Sequence, residues 1–398
     1  MTDNKDKKVL NVPALRFPEF SGEWKEERLD EIAELSKGVG ISKEQLSEDG
    51  EPCILYGELY TKYKSEIIRK VISKTNIESS NLKRSKRNDV IIPCSGETAI
   101  DIAVARCIPF DNILLGGDLN IIRLHKDDGA FMAYQLNGKR KIDIAKLAQG
   151  VSVVHLYGEN LKSIKTYNPC LQEQQKIVKL LSMFDERIEE QNKIIEKYES
   201  LIKGLNNMLL YGTGGKSVCL GDILLERSER SRTNNQHEVL SSTVKGIFSQ
   251  REYFSKDIAS ENNVGYKIIR LHDVVLSPQN LWMGNINYND RFEIGIVSPS
   301  YKVFSIADGY DNQFVAAMLK THRALYSYMM VSEQGASIVR RNLNMEAFSQ
   351  LVFKIPSLDK QREIGYEISL LKSQLKTANK IIRAYTSQKQ YLLRQMFI

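Results

Sequence analysis

The sequence predicts an α+β fold in which two similar globular domains are joined by two long helices that pack as an antiparallel coiled coil. Three observations predict this fold: an internal repeat, a heptad pattern in two long segments, and short β-branched runs in the stretches between them. The 398 residues are also too many for one ordinary core. We assign the first domain to 1–168, the first helix to 169–211, the second domain to 212–355 and the second helix to 356–398.

The internal repeat is clearest around two prolines. Aligning Pro169 with Pro356 matches the residues that follow without a gap as far as Leu205 and Leu392, and both segments contain the run Asn-Lys-Ile-Ile. Upstream, both halves carry the pattern Gln-Gly-x-Ser followed by an apolar pair. The stretches between these markers hardly match. A common frame with different inserts suggests two sites of one kind with different specificities.

Apolar residues recur in steps of four and three along both helices, which is the seam of a coiled coil. The first seam consists of Ile177, Leu181, Phe184, Ile188, Gln191, Ile195, Tyr198, Ile202, Leu205 and Leu209. The second consists of Ile364, Ile368, Leu371, Leu375, Ala378, Ile382, Tyr385, Lys389, Leu392 and Met396. An antiparallel register places Ile188 near Tyr385 and Ile195 near Ala378. The alternative is a plain oligomerisation stalk, but because each helix follows a domain, we favour a rod that holds two modules apart.

Composition limits the class of protein and its partners. The formal net charge is +7, which permits a polyanionic partner without requiring one. Five irregularly spaced cysteines indicate neither a disulfide framework nor a zinc site. The first ten residues are polar and charged, and no stretch is apolar enough for a signal peptide or a membrane span. We therefore expect a cytoplasmic protein without a membrane partner.

The domains contain short β-branched runs broken by Gly, Pro and Asn, such as Val90–Pro93, Asn120–Arg123 and Tyr301–Phe304. Apolar residues from Gln313 to Met330 fall mainly on one face, which predicts a helix. Lys and Arg contact phosphates, while Arg, Asn and Gln also pair with base edges, so basic clusters are candidate nucleic-acid contacts. Each cluster alone is more often a solvated face. The clusters are Lys83–Arg87, Lys139–Lys141, Arg230–Arg232 and Arg340–Arg341.

The repeated Gln-Gly-x-Ser segment is the sharper signal for a binding site. It begins at Gln149 in the first half and at Gln334 in the second, and a basic residue, His155 or Arg340, follows each copy. Glycine lets a backbone approach a ligand, and the serine hydroxyl can donate to a phosphate or a base. The alternative interpretation is a turn that only shapes the domain.

Sequence motifs for catalysis are missing. The segment 212–217 resembles a phosphate-binding loop but fails the motif, because Leu210 stands where its first glycine is needed. The five histidines lie far apart without metal-ligand spacing. No G-x-S-x-G elbow occurs, no G-x-G-x-x-G opens a strand-to-helix turn, and no two prolines are adjacent, which excludes the Asn/Asp-Pro-Pro-aromatic motif. The sequence therefore predicts no catalytic residues and no metal site in this chain.

A resemblance to a known family rests on the opening segment and the two helix starts. Pro13–Phe20, followed by Trp24 and Leu29, resembles the opening of the specificity subunits of bacterial type I restriction–modification enzymes. The pattern Pro-x-Leu-x-x-Gln-x-x-Ile at Pro169 and again at Pro356 resembles the same family. The resemblance covers nearly the whole chain, and it is specific in the helix starts and the repeat rather than in the domain interiors.

The resemblance implies that the two domains are target-recognition domains, each of which reads one half of a split, asymmetric site in double-stranded DNA. It implies that the helices set the unread spacer and dock two methyltransferase subunits, with restriction subunits, which are motor–nucleases, joining outside. In such complexes S-adenosylmethionine, ATP and magnesium belong to the partners. This chain is therefore expected to carry no cofactor and no catalytic activity of its own.

The resemblance also carries DNA-contact segments over to this sequence. In the first domain the candidate residues are Tyr56, Gly57, Glu58, Lys62, Tyr63, Ser95, Gly96, Thr98, Gln149, Gly150, Ser152 and His155. In the second they are Ser242, Thr243, Lys245, Gln279, Asn280, Gln334, Gly335, Ser337, Arg340, Arg341 and Asn342. The sequence departs from the family pattern in three places. Lys360 replaces a glutamate that Glu173 keeps, Cys170 stands where a proline is frequent, and Gly365 costs its helix about 1 kcal/mol relative to alanine.

Two other classes of function stay open at the level of sequence. One is an enzyme, either a methyltransferase or a nuclease, that acts alone; methyl transfer by the isolated chain would indicate it. The other is a coiled-coil scaffold that binds only protein. The absence of salt-dependent, sequence-selective DNA binding by the partner complex at low salt would indicate the scaffold.

Overall fold

The computed structural model describes residues 10–398 except 79, 212–213, 254–261 and 338–339. The chain divides into two compact units, one made of Met1–Asn192 with Lys380–Ile398 and the other of Lys193–Asn379. We name them the first and the second unit. Each unit holds one of the two globular domains and part of each long helix, so the division falls within the helices rather than at their ends.

The first unit contains a strand-rich domain and the beginning of a long helix. Its strands are β1 (Lys25–Arg28), β2 (Ala33–Lys37), β3 (Leu46–Ser47), β4 (Glu51–Ile54), β5 (Ser73–Thr75), β6 (Lys83–Arg84), β7 (Asp89–Pro93), β8 (Ser95–Gly96), β9 (Arg106–Ile108), β10 (Leu114–Leu115), β11 (Leu119–Leu124), β12 (Val154–His155) and β13 (Lys165–Asn168). Its helices are α1 (Leu29–Ile32), α2 (Glu58–Thr61), α3 (Ala99–Ile102), α4 (Gly129–Asn137), α5 (Lys141–Lys146), α6 (Gly158–Leu161) and the start of α7 (Leu171–Tyr211), with a 3-10 turn at Lys43–Gln45.

The second unit has the same kind of organisation. Its strands are β14 (Lys216–Cys219), β15 (Leu224–Arg227), β16 (Leu240–Thr243), β17 (Gly246–Ser249), β18 (Lys267–Arg270), β19 (Val274–Leu276), β20 (Ile286–Tyr288), β21 (Ile294–Val297), β22 (Lys302–Ile306), β23 (Ser332–Ser337), β24 (Arg340–Leu343) and β25 (Val352–Ile355). Its helices are α8 (Leu220–Ile223), α9 (Gln250–Tyr253), α10 (Asn312–Met318), α11 (His322–Met330), α12 (Met345–Ser349) and most of α13 (Leu358–Gln395), with a 3-10 turn at Leu281–Met283.

Both units are built on a four-stranded antiparallel sheet with the same strand order. The order is β2-β11-β7-β9 in the first unit and β15-β22-β19-β20 in the second. In each unit a further antiparallel pair, β1 with β13 or β14 with β25, joins the beginning of the domain to its end. Around this frame the first unit adds a five-stranded sheet, whereas the second adds two-stranded pairs. The predicted fold class, with a repeated frame and unlike inserts, is confirmed.

The central strand β7 shows why the sheet holds the core of the first unit. Val90 and Ile92 are fully buried in a cluster that includes residues of α4, while Ile91 is fully buried in a second cluster with Ile54 and Leu115. Alternate side chains of a strand point to opposite faces, so the continuous apolar run indicates a strand covered on both sides. The five-stranded sheet covers one face and the helix covers the other.

A repeated turn leads into the matching strands β7 and β19. The carboxylate of Asp89 accepts a hydrogen bond from the backbone N–H three residues earlier at 2.8 Å, and that of Asp273 does the same at 2.7 Å. The residue before each aspartate has a positive φ, 79° at Asn88 and 74° at His272. The shared aspartate is therefore a turn residue that stabilises the frame.

The glutamine in each helix-start motif makes the same contacts in both units. The side-chain oxygen of Gln174 accepts from the backbone N–H of Asp128 at 2.8 Å, and that of Gln361 accepts from Asp311 at 3.0 Å. Each side-chain amide donates to the carbonyl of the proline that opens its motif. Because the two aspartates cap α4 and α10, the motif couples each long helix to a helix of its domain.

Within the first unit the two long helices run antiparallel. Ile177, early in α7, shares a buried cluster with Met396, just after the end of α13. The ring of Tyr385 packs edge-on against Phe184, one turn before Ile188, with 6.4 Å between ring centres. The predicted antiparallel coiled coil is thereby confirmed, while the individual residue pairs farther along the seam stay predictions.

One predicted helix is in fact two. The segment Gln313–Met330 divides into α10 and α11, because Thr321 caps α11 and accepts from the backbone N–H of Ala324 at 3.2 Å. Both pieces place apolar residues in the same core cluster, among them Met318 on one side of the break. The apolar pattern therefore continues across a break that only the cap reveals.

Gly365 is required by close packing. A Cβ at this position would lie 2.2 Å from the carboxylate oxygen of Asp311 and 2.8 Å from the backbone nitrogen of Phe314. The start of α13 thus lies directly on the N-terminus of α10, where no larger residue fits. Glycine in a helix costs about 1 kcal/mol relative to alanine, and here the close contact between α13 and α10 requires it.

Candidate nucleic-acid interface

In the first unit two predicted contact segments meet beside the central sheet. β8 pairs with β12, which places Ser95 opposite His155 and Gly96 opposite Val154. Gln149 and His155 exchange two backbone hydrogen bonds, of 2.9 and 2.7 Å, so the segment between them closes into a hairpin loop. The first Gln-Gly-x-Ser segment is therefore a loop that is clamped at its base next to β8.

The tip of this loop is exposed. Residues 151–153, which include Ser152, are all exposed, and Val151 is 98% exposed. Gly150 has a φ of 121°, and a Cβ there would lie 2.1 Å from the carbonyl oxygen of Val153. Only glycine fits this turn. The backbone thus presents an apolar and hydroxyl-bearing tip that has no packing role in its own domain.

Aromatic and hydroxyl groups flank the loop. The ring of His155 stacks on Tyr157, with 6.3 Å between centres and 24° between planes. Thr98 caps α3 by accepting from the backbone N–H of Asp101 at 3.2 Å, and it remains exposed. A Cβ on Gly96 would lie 2.5 Å from a side chain of α3, so β8 and α3 pack closely here. These residues form one continuous surface.

A groove opens next to this surface. Its volume is about 880 Å³, and its lining includes Tyr56, Gly57, Lys62 and Asp118. The far wall is the turn at Gly40–Ile41. The predicted segment around Tyr56 therefore lies at a concave part of the first unit.

Glu58 and Tyr63 are buried and bonded inside the domain, so the structure does not present them to a partner. The Glu58 carboxylate accepts from the backbone N–H of Leu55 at 3.0 Å and from the ammonium of Lys62 at 2.6 Å. The Tyr63 hydroxyl accepts from the backbone N–H of Ile72 at 3.3 Å, and burial raises the pKa of Tyr63 to about 12. Both residues therefore stabilise the fold, Glu58 at the start of the short helix α2 and Tyr63 just after its end.

Two charged residues that the sequence patterns did not single out join the site. Lys37 ends β2 and Asp118 precedes β11, and their charged atoms are 3.1 Å apart. Asp118 also accepts a hydrogen bond from the hydroxyl of Ser95 at 3.3 Å. The hydrogen bond to Asp118 raises the pKa of Lys37. Each is a lone charge in the sequence, so no local signal could have found the pair.

In the second unit a hairpin of β16 and β17 carries three predicted residues. Lys245 is exposed at its tip, where its backbone N–H donates to the hydroxyl of Thr243 at 3.1 Å. Ser242 is buried, since its hydroxyl donates to Asn285 at 2.9 Å and accepts from Asn287 at 2.7 Å. Ser242 therefore anchors the hairpin, and its tip is the part that faces outward.

A second hairpin, of β23 and β24, holds the other Gln-Gly-x-Ser segment. Gly335 lies in β23, and Gln334 pairs with Arg341 as Ser337 pairs with Arg340. Gln334 and Asn342 are exposed, while the side chains of 335–340 lie outside the described part of the chain. Both copies of the segment are thus parts of antiparallel hairpins.

Arg341 joins this hairpin to another predicted segment. Its backbone N–H donates to the carbonyl of Gln279 at 3.1 Å, and its guanidinium lies 5.2 Å from the ring centre of Trp282. The side chain of Gln279 is exposed, whereas Asn280 is half-buried and its carbonyl accepts from backbone N–H groups of the same turn. The structure therefore brings the two segments of the second unit together.

Some basic residues of the sequence clusters are engaged within the fold. Arg84 pairs with Glu51 at 2.7 Å. Arg140 donates to the carbonyl of Ile398 at 2.6 Å and lies 5.3 Å from the ring centre of Tyr167. These two arginines therefore join elements of the first unit, whereas a role of the basic clusters in DNA binding stays a prediction.

The described residues offer neither a metal-binding cluster nor a membrane-spanning helix. Among them, no group of three or more His, Cys, Asp or Glu side chains is arranged to hold a metal ion. In the same part of the chain, no helix is both long enough and apolar enough to cross a bilayer.

Comparisons with known proteins agree with this geometry. Residues 21–199 match the model of a family described as the type I restriction modification DNA specificity domain. The chain is similar to the S subunit of a type I restriction-modification system from M. genitalium, with 17% identity and a TM-score of 0.65 over 97% of this chain and 99% of that one. It is also similar to a chain from a structure of complex assembly and conformational transition in the type I R-M system, with 14% identity and a TM-score of 0.50 over 94% and 97%.

At these identities the two solved structures establish the fold, and the family match establishes the class of domain. Residues 21–199 are a DNA specificity domain. This match confirms the resemblance seen in the sequence for that part of the chain, and the solved structures show that the whole chain shares the fold of such S subunits. The second unit repeats the same frame within the chain.

Proposed function

We propose that this chain reads a bipartite site in double-stranded DNA, one half with each unit, and that α7 and α13 set the spacer between the halves. One observation carries the proposal: the two units share a strand order but present different exposed hairpins on it. A shared frame gives both halves one mode of binding. Unlike hairpins give each half its own set of donors and acceptors, which is how base edges in a major groove are distinguished.

The long helices suit a spacer because of their length and rigidity. α7 is a continuous helix of 41 residues. At about 1.5 Å per residue it extends roughly 60 Å, which is about 18 base pairs of B-DNA. A helix of that length resists bending, so we propose that its residue count fixes the number of unread base pairs.

We further propose that the chemistry resides in partner subunits. Two methyltransferase subunits would dock on the helices and carry S-adenosylmethionine, and restriction subunits would carry ATP and magnesium. This chain would act by positioning: bound half-sites fix where the methyltransferases flip out and methylate adenines. This chain would itself contribute the binding energy for the DNA and the position of the complex along it.

Methyl transfer by purified components tests the proposal. The chain alone, the methyltransferase alone and the complex of both are incubated with DNA and labelled S-adenosylmethionine. We expect sequence-selective methylation by the complex alone. Transfer by the isolated chain would identify an enzyme, and a complex that methylates without sequence preference would remove the recognition role.

The spacer is tested separately by changing the length of α7. Inserting one helical turn after Lys193 is expected to lengthen the unread spacer and leave both half-sites unchanged. An unchanged spacer would contradict the proposed role of the helix.

A further inference from the structure

The Lys37–Asp118 pair lies where three parts of the first unit meet. Lys37 is the last residue of β2, Asp118 lies just before β11, and Ser95 begins β8. The Asp118 carboxylate is 3.1 Å from the Lys37 ammonium and 3.3 Å from the Ser95 hydroxyl. Ser95 in turn is paired with His155, at the base of the exposed hairpin loop. The ion pair is thus part of the same surface as the loop.

The position of Asp118 is held by backbone contacts. Its φ is 58°, in the left-handed region, and its carbonyl accepts from the backbone N–H of Cys94 at 2.7 Å. The carbonyl of Cys94 accepts from Leu156, which follows the hairpin loop. A positive φ outside glycine is uncommon and marks positions that the surroundings hold in place. The backbone of Asp118 is therefore held in place while its carboxylate remains half-exposed.

Both charges face solvent in a place where they have little value for stability. The side chains of Lys37 and Asp118 are 61% and 48% exposed. Exposed ion pairs add roughly 0–1 kcal/mol to stability, so the fold gains little from this one. An exposed ammonium beside an exposed carboxylate, which Ser95 also contacts, is instead available to bind a partner.

The internal repeat does not preserve this pair. Ala33 pairs with Leu124 in the first unit, and Leu224 pairs with Ile306 at the equivalent place in the second. Counting along the same strands, Ser228 takes the position of Lys37. Ser300 takes the position of Asp118, and both serines are exposed. The frame is therefore shared at these positions, while the chemical groups that it presents are not.

We propose that Lys37 and Asp118 are specificity-determining residues of the first half-site and together read a G·C base pair. The inference rests on the proposed function of the chain. In the major groove guanine offers the acceptors N7 and O6, and cytosine beside it offers the N4 amino donor. The Lys37 ammonium donates to guanine, and the Asp118 carboxylate accepts from cytosine. An A·T pair offers thymine O4 and adenine N6 in a different order, so it fits this donor–acceptor pair less well.

The double substitution K37Q/D118N tests the inference in the complete complex. Asparagine tolerates a positive φ, so the variant removes both charges with little strain. Motifs of methylated DNA are mapped across a genome for the wild-type and the variant chain. We expect the preference for G·C at one position of the first half-site to fall about tenfold or more. The second half-site and the spacer should stay as in the wild type.

A matched control distinguishes the recognition of bases from a general effect of losing two surface charges. Lys165 and Glu26 form a cross-strand pair in the same unit, 2.6 Å apart and 62% and 36% exposed. The variant K165Q/E26Q loses the same two charges and is expected to keep the wild-type motif. If both variants weaken all sites equally, the charges act through phosphates or folding and the inference is overturned.

Two further outcomes are distinguishable. If K37Q/D118N keeps the wild-type motif, the pair does not read bases, although the proposed function stands. If the wild-type chain does not determine any motif, the proposed function fails first. Should K37Q/D118N fold poorly by thermal denaturation, D118N alone serves instead, since it keeps Lys37 and is expected to relax the same single position; an unrelaxed position would overturn the inference.

Discussion

Lys389 of α13 donates a hydrogen bond to the carboxylate of Asp185 of α7 at 2.5 Å. The same ammonium bonds Glu66 of the first domain, and the Tyr134 hydroxyl donates to the other oxygen of Asp185 at 2.5 Å. All of these charged side chains are nearly buried. When Pro169 is aligned with Pro356, the residue of α7 equivalent to Lys389 is Ile202. An apolar residue cannot form the same ion pairs, so the internal repeat does not preserve this network.

Breaking this network should destabilise the first unit. The substitution K389M leaves two carboxylates buried without their counter-ion, which costs about 3–5 kcal/mol. Hydrogen exchange of the α7 amides 177–190 measures the loss. The control K360Q removes a lysine of an exposed pair on the same helix, where about 0–1 kcal/mol is expected. Equal effects of the two variants would mean that the network adds nothing to the fold.

Two glycines of the long helices should respond in opposite directions to alanine. A Cβ on Gly204 in α7 would extend into open space, whereas a Cβ on Gly365 would lie 2.2 Å from Asp311. We expect G204A to stabilise the chain by about 1 kcal/mol and G365A to destabilise it. Urea denaturation measures both changes. A stabilising G365A would show that the start of α13 does not pack closely on α10.

The stability of the second unit should depend on pH through Lys320. Burial, with a smaller contribution from the charge of Lys372, lowers the pKa of Lys320 from 10.5 to about 8. The folded chain loses this proton at a lower pH than the unfolded chain, so unfolding takes up a proton between pH 8 and 10.5. The free energy of unfolding is therefore expected to rise across that window by about 3 kcal/mol relative to K320M. The free energy of unfolding is measured against pH by urea denaturation for both proteins. If the wild type and K320M depend on pH in the same way, the lowered pKa of Lys320 is contradicted.

The conformation of the exposed hairpin loop in the first unit, and its proposed contact with DNA, should depend on Gly150. An alanine there needs a φ of 121° and meets the carbonyl oxygen of Val153 at 2.1 Å, so G150A should distort the hairpin. We expect methylation of DNA that carries the wild-type motif to weaken at least tenfold. The free energy of unfolding of the whole chain should change much less than it does when a core side chain is truncated. G22A is the control, because Gly22 also has a positive φ but open space around it. Wild-type methylation by G150A would mean that the loop does not contact DNA.

Regular patterns predicted the scaffold well. The heptad steps and the repeated prolines predicted α7 and α13, because one side-chain spacing governs each helix from end to end. The apolar run Val90–Ile92 predicted a central strand for the same reason. By contrast, the helix break at Thr321 depends on one cap, which does not disturb the apolar pattern around it.

The candidate site was less accessible to sequence reasoning. Lys37 and Asp118 come together only through strand pairing and a left-handed turn, neither of which leaves a local pattern. Glu58 begins a short helix and Tyr63 follows it, and the burial of both depends on packing against residues that are distant in the sequence. The Gln-Gly-x-Ser segments are the part of the candidate site that the sequence pointed to, because their repetition is visible in it.

In the proposed function this chain, and not its partners, determines a bipartite DNA motif. The most direct measurement is genome-wide mapping of methylated adenines in cells that carry the partner methyltransferase with and without this chain. We predict that methylation appears only with the chain, at one motif of two unlike half-sites and a constant spacer. An identical pattern in its absence, or a single continuous motif in its presence, would contradict the account.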